Sequence, residues 1–235
     1  MAKSKKNVLF QASYKNKETF KGGAADIFFE RDNVKKFAHL HQLISEKYIE
    51  WLLPHTKNIS TILEIGCGTG HRLNSLCSQL EAKGIGIDPG KKAVDFINQK
   101  YNHIISAKVG FGDHLEVDDY SVDVCLMGFF LYLVDRSLFL RCVSEADRVL
   151  KNGGFLLIVD FDPFLQYFNK HRYHKKVKSY KFDNTKPFLN SGLYYLCHKH
   201  SFSHWSFSFN LDENERCSMT MLYKEITPFG VVPSN

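Results

Sequence analysis

No Cys-x-x-Cys pair occurs in this 235-residue chain; its six cysteines, at 67, 77, 125, 142, 197 and 217, are scattered. Such spacing argues against a zinc ribbon or a disulfide framework, and the apolar surroundings of Cys125 and Cys142 read as reduced core thiols of a cytoplasmic protein. The longest apolar run, Cys125–Val134, is too short to span a bilayer, so no membrane insertion is expected. The N-terminus carries lysines but no apolar stretch of a secretory leader. His198 and His200 would share a strand face, but no third ligand is fixed by spacing, so no metal is expected. There is no Asn/Asp-Pro-Pro-Tyr and no Pro-Cys pair, two signatures of common nucleobase chemistries.

Acidic residues are missing from one stretch in particular. Lys170–Lys181 holds six Lys/Arg residues and no Asp or Glu, and the formal net charge is +6, so the rest of the chain balances. Tyr173 and Tyr180 interleave with those cations. This segment reads either as a solvated helix face or as a lid for an anionic small molecule. RNA is a further possible partner, bound by stacking and phosphate neutralisation, though six charges make a small footprint.

The apolar run Thr61–Ile65 followed by Gly66-Cys67-Gly68-Thr69-Gly70 reads as a buried strand, a tight turn and a helix start. Asp88 ends the next strand some twenty residues later, where a carboxylate can accept both hydroxyls of a ribose. An adenosine-like ligand is therefore expected. A dinucleotide site wants Gly-x-Gly-x-x-Gly, but His71 stands where the third glycine would be. Glu64, two residues before the first glycine, suits a cationic amino acid better than a pyrophosphate. S-adenosylmethionine satisfies both observations.

Glu64-x-Gly66-x-Gly68-x-Gly70 resembles motif I of class I S-adenosylmethionine-dependent methyltransferases, and similarity continues over residues 60–162. Gly112-Asp113-His114 resembles the motif whose Asp binds the adenine amino group. Val122–Gly128 running into Phe129-Phe130-Leu131-Tyr132 resembles the fourth strand and its loop, and Leu150–Asp160 the fifth strand. The nearest likeness is to ubiquinone and menaquinone C-methyltransferases and small-molecule O-methyltransferases. The cofactor residues this implies are Glu64, Gly66, Cys67, Gly68, Gly70, Asp88, Pro89, Gly112, Asp113, His114, Gly128 and Phe129.

Alternating strands and helices predict an α/β fold: a Rossmann-like, seven-stranded, mostly parallel sheet with helices on both faces. Strands are expected near 61–65, 83–87, 104–109, 122–128 and 154–160, and helices near 69–80, 90–100 and 136–150. Asp135 is the expected N-cap of the last helix and Asn152-Gly153-Gly154 its stop. Leu193–Lys199 and Cys217–Ile226 would close the sheet as an antiparallel hairpin. Asp32 would cap a further helix ending near Leu53, before Pro54, with Val34, Phe37, Leu40, Ile44, Tyr48 and Trp51 at helical spacing. Residues 1–55 form an expected lid and helical cap, with Gly22-Gly23 as its hinge. Residues 56–235 form the cofactor-binding domain, with a basic insertion at about 161–190.

Methyl transfer needs alignment more than acid–base help. The catalytic candidates are Tyr132, Asp160 and His174, with His171 beside them; Phe28, Asp162, Arg172 and Lys175 are expected to contact the acceptor. The expected activity is methylation of a small, anionic metabolite such as a sugar or nucleotide-sugar. RNA methylation, or cofactor binding without turnover, are the competing expectations, and the oligomeric state stays open.

Overall fold

A computed structural model describes residues 15–32, 38–172, 174–212 and 214–227. Its centre is a seven-stranded sheet of order β3-β2-β1-β4-β5-β9-β8. The strands are β1 (Thr61–Ile65), β2 (Lys83–Asp88), β3 (Ile105–Val109), β4 (Val122–Gly128), β5 (Leu150–Phe161), β8 (Tyr194–Ser203) and β9 (Arg216–Lys224). The first five run parallel, and β9 lies antiparallel between β5 and β8. The expected C-terminal hairpin is thus β8–β9. Every residue of β4 is buried, as a central parallel strand covered on both faces requires.

Alternation along the strands divides the core. Ile62, Val124, Leu126 and Leu157 pack beneath the helices α3 (Ala38–Leu52), α4 (His71–Leu80) and α5 (Lys91–Lys100). Leu63, Ile65, Cys125, Met127 and Leu156 face α6 (Phe139–Val149) on the other side. Glu64 shares Ile62's face, so the strand's period of two drives its carboxylate under α4. Leu40, Ile44, Tyr48 and Trp51 are buried along α3 as their spacing predicts; Val34 and Phe37 lie outside the described residues.

Four local expectations are corrected. Asp32 is the last residue of α2 (Ala25–Asp32) and not the cap of α3. Asp135 does not cap α6, whose N-cap is Leu138; its carboxylate instead accepts the N–H groups of Asn16 (2.8 Å) and Lys17 (3.0 Å) at the start of α1 (Asn16–Thr19). The same end-on attraction of carboxylate for free N–H groups is at work, across 119 residues of sequence. Asn152-Gly153-Gly154 is no loop: α6 passes directly into β5, and Gly153, at φ +80°, sits where the β4–β5 register shifts. The basic segment is not a helix. It forms a two-stranded hairpin, β6 (Tyr167–Lys170) with β7 (Lys178–Lys181), followed by the short α7 (Lys186–Leu189).

Asn16 ties this hairpin to the rest. Its buried side-chain amide donates to the carbonyls of Leu133 (2.7 Å) and Lys178 (2.8 Å), and its oxygen accepts the Lys178 N–H. No described helix is long and apolar enough to cross a membrane.

Candidate active site

The strand order places a switch point between β1 and β4, where crossovers depart to opposite faces and leave a crevice at the strands' carboxyl ends. A cavity of about 820 Å³ opens there. The turn after β1 forms its floor. Gly66, Gly68 and Gly70 hold φ of +75°, +52° and +71°, a region that side chains with a Cβ rarely adopt. Nothing lies within 4 Å of where a Gly68 Cβ would project, so the backbone is bare towards the cavity.

Asp88 organises that floor. One carboxylate oxygen accepts the Gly68 N–H (2.9 Å), the other the Gly90 N–H (2.8 Å), and the group still reaches the cavity wall. Further along, Asp113 also lines the cavity, with the Lys17 ammonium against both its oxygens. Gly112 is required by contact: a Cβ there would come within 2.5 Å of the Phe130 ring.

Of the residues expected at the cofactor, Gly66, Cys67, Gly68, Asp88, Pro89, Gly112, Asp113, Gly128 and Phe129 line the cavity. Glu64, Gly70 and His114 do not. Gly70 faces Ile97 beneath the turn, and His114 closes a small bridge to Phe111. Glu64 is fully buried, and one of its oxygens accepts the Arg72 Nε (2.9 Å) and NH2 (2.8 Å). The expected cationic partner of Glu64 is therefore the chain's own Arg72. Arg72 lines the cavity, donates to the Gly128 carbonyl (3.1 Å), and passes NH1 to His41 Nδ1 (2.7 Å). Burial raises the Glu64 carboxyl and Arg72 opposes that rise.

Among the acid–base candidates, Tyr132 lines the cavity but Asp160 and His174 do not. Asp160 is buried behind Tyr132, accepting the backbone N–H groups of Tyr132 (3.0 Å) and Phe161 (2.8 Å); burial pushes its carboxyl up to about 7. His171 takes the wall position, its ring centroid 4.7 Å from Phe28 and 6.3 Å from Tyr132. Phe28 and Arg172 line the cavity, whereas Asp162 is paired with Lys199 (2.9 Å) and Lys175 is exposed outside it.

Further groups complete the lining. His204, from the loop ending β8, packs against Phe129 (5.4 Å between centroids) and Phe161 (5.2 Å). Lys181 lies over the Phe161 ring at 3.8 Å, Arg31 over Phe28 at 4.7 Å and Arg172 over Trp205 at 5.9 Å. Burial, helped by neighbouring cations, lowers His171 and His204 to about 4, and burial also lowers Lys181. At neutral pH both imidazoles are uncharged. His198, one of the histidines with metal-like spacing, stacks on Trp51 at 5.0 Å instead. Among the described residues no group of three or more His, Cys, Asp or Glu is placed to hold a metal ion.

Residues 63–158 match the family described as "Methyltransferase domain". Among solved structures, the chain is similar to a Burkholderia thailandensis 1,6-didemethyltoxoflavin-N1-methyltransferase with bound 1,6-didemethyltoxoflavin and S-adenosylhomocysteine. Identity is 10%, TM-score 0.70, and 93% of each chain is covered. A Leishmania major S-adenosylmethionine-dependent methyltransferase matches at 13% identity and TM-score 0.67, over 89% of this chain and 85% of that one. A Methanosarcina mazei S-adenosylmethionine-dependent methyltransferase matches at 19% identity and TM-score 0.59, over 72% and 94%. At such identities the likeness is one of fold. No curated protein matches the sequence significantly.

Proposed function

We propose that the chain is built on a class I S-adenosylmethionine-dependent methyltransferase domain and that its acceptor is a small, anionic metabolite of the sugar or nucleotide-sugar kind. The residues present fit the cofactor: a bare glycine turn, and two carboxylates set along the wall to take hydroxyl and amino hydrogens. Asp88 would hold the ribose and Asp113 the adenine. The cofactor supplies a methyl group on a positively charged sulfur that is already a good leaving group. The protein's part is mainly to align the acceptor.

One observation carries the acceptor assignment. Arg31, Arg172 and Lys181 converge on the cavity from α2, the β6–β7 loop and β7, each laid against an aromatic ring, with Glu215 the carboxylate nearby in the lining. Cations set against rings in a confined, low-dielectric wall favour an anion and leave flat faces for a ring or sugar. Tyr132 and His171 are the acid–base candidates in reach; Asp160 would act as a positioning residue, fixing Tyr132 through its backbone. The N-terminal cap, residues 1–55, and the insertion at 161–190 are the parts proposed to cover this end.

The test is a screen of nucleotide sugars and phosphorylated metabolites for S-adenosylhomocysteine release. Turnover confined to anionic members supports the reading. Turnover of neutral acceptors alone, or of RNA in a salt-sensitive manner, overturns it.

A further inference from the structure

We infer that His41 is a fixed hydrogen-bond donor that reads a carboxylate oxygen at the amino-acid end of the bound cofactor, which rests on the cofactor assignment above. Arginine has only donors, so the 2.7 Å contact between Arg72 NH1 and His41 Nδ1 obliges Nδ1 to be the acceptor. The ring's one hydrogen then sits on Nε2. The ring cannot take a second proton, at Nδ1, without losing that bond and meeting the guanidinium charge.

What holds Arg72 in turn is built in. Its Nε and NH2 are gripped by Glu64, a fully buried carboxylate on β1, and NH2 also donates to Gly128 at the end of β4. A side chain at 128 would have no room, since its Cβ would clash with the Arg72 guanidinium. Glu64, Arg72 and His41 thus form a chain from the sheet's interior to the cavity wall. The other charged or titratable groups bearing on the ring are His71 on α4, His204 beyond β8 and Arg31 on α2. None of these favours a proton on it, and burial holds His41 well below the usual histidine range.

Position identifies the ligand group. Asp88 ends β2 and Asp113 lies on the loop between β3 and β4; with the adenosine end assigned to these two, the other end of the cofactor falls across the turn after β1, on the side towards β4. His41 stands there, with Gln42, Thr69 and Ser75 as neighbouring polar lining. Motif I's acidic residue would ordinarily bias this end towards an ammonium; here Arg72 neutralises it and passes a donor outward. The polarity of the subsite is that of a carboxylate reader.

Two measurements on the full chain test this. In ¹⁵N NMR of the imidazoles, with His41→Gln for assignment, His41 should show a protonated Nε2 and a bare Nδ1, unchanged as pH falls through the ordinary histidine range. A hydrogen on Nδ1, or titration near the ordinary value of about 6.5, overturns the inference. In calorimetry, His41→Ala should weaken S-adenosylhomocysteine by about tenfold and leave 5′-methylthioadenosine, which lacks the amino-acid end, unchanged. His41→Gln, whose amide N–H can replace Nε2–H, should recover most of that loss. Wild-type affinity for both probes in His41→Ala overturns the inference alone. Failure of the wild type to bind either probe overturns the cofactor assignment with it.

Discussion

The Lys17 ammonium closes on Asp113, 2.6 Å from one carboxylate oxygen and 2.8 Å from the other, while the Lys17 backbone N–H is held by Asp135. The carboxylate assigned to the adenine amino group is thus already engaged, by a residue of the N-terminal cap. Under that assignment adenine would share or displace the ammonium. Lys17→Met, which keeps the stem over Phe111 and removes the charge, should therefore tighten S-adenosylhomocysteine binding severalfold, the scale of a partly exposed ion pair of about 1 kcal/mol. Calorimetry showing equal or weaker binding would mean that Lys17 assists the adenine instead of competing with it.

Asp88→Ala removes the proposed ribose acceptor and the anchor of the Gly68 and Gly90 N–H groups together. The loss of cofactor affinity should be roughly 1.5–3 kcal/mol, the range for a hydrogen bond to a charged group. A thermal melt run in parallel separates this from unfolding. Unchanged affinity in a folded variant removes the ribose assignment.

The two halves of the basic segment should behave differently towards the acceptor. Arg172 lines the cavity, whereas Lys175 and Lys176 are exposed outside it. Once an acceptor is found, Arg172→Ala should raise its KM by about tenfold, as loss of a charge-assisted contact would. A Lys175/Lys176 double alanine should leave KM unchanged at moderate salt, since exposed charges beyond the wall act only through a screened field. Equal effects from both would place the acceptor over the whole hairpin surface.

Acid should cost stability through His171 and His204. Both are lowered to about 4 by burial and nearby cations, so between about 6.5 and 4 the unfolded chain binds protons that the native chain refuses. Stability from these groups is complete above about 6.5 and is lost as pH falls through that window. Asp160, raised to about 7, has the opposite slope, losing stability as pH rises towards 7. The clean measurement is a difference. His204→Gln should make unfolding less sensitive to acid over this window, by on the order of 1 kcal/mol between its ends. A variant with the wild type's pH slope would show that His204 is not held neutral.

Much of the frame could be read from the sequence because its signals are local. Thr61–Ile65 and Val122–Gly128 announce buried strands by their own composition, and Gly66 to Gly70 with Asp88 announce a ligand turn by spacing. What stayed hidden depends on distant partners. Asp135 looks like a cap for the helix that follows it, and only the tertiary fold brings Asn16 to its carboxylate. Segment 167–181 has too few residues per strand for alternation to register, so a β-hairpin reads as a charged helix. Glu64 reads as a ligand for a cation until α4 lays Arg72 over it, eight residues along the chain. Lys181 falls in the basic segment, but nothing in the sequence shows that it meets His41 from α3 and His204 from the loop after β8. They become a site only when the sheet order is known.

The most direct test of the whole account is calorimetric titration of the purified chain with S-adenosylhomocysteine and, separately, with NAD. The glycine turn that lacks its third glycine, together with Asp88 and Asp113, predicts saturable binding of S-adenosylhomocysteine and much weaker or undetectable binding of NAD. NAD binding the more tightly of the two would contradict the account.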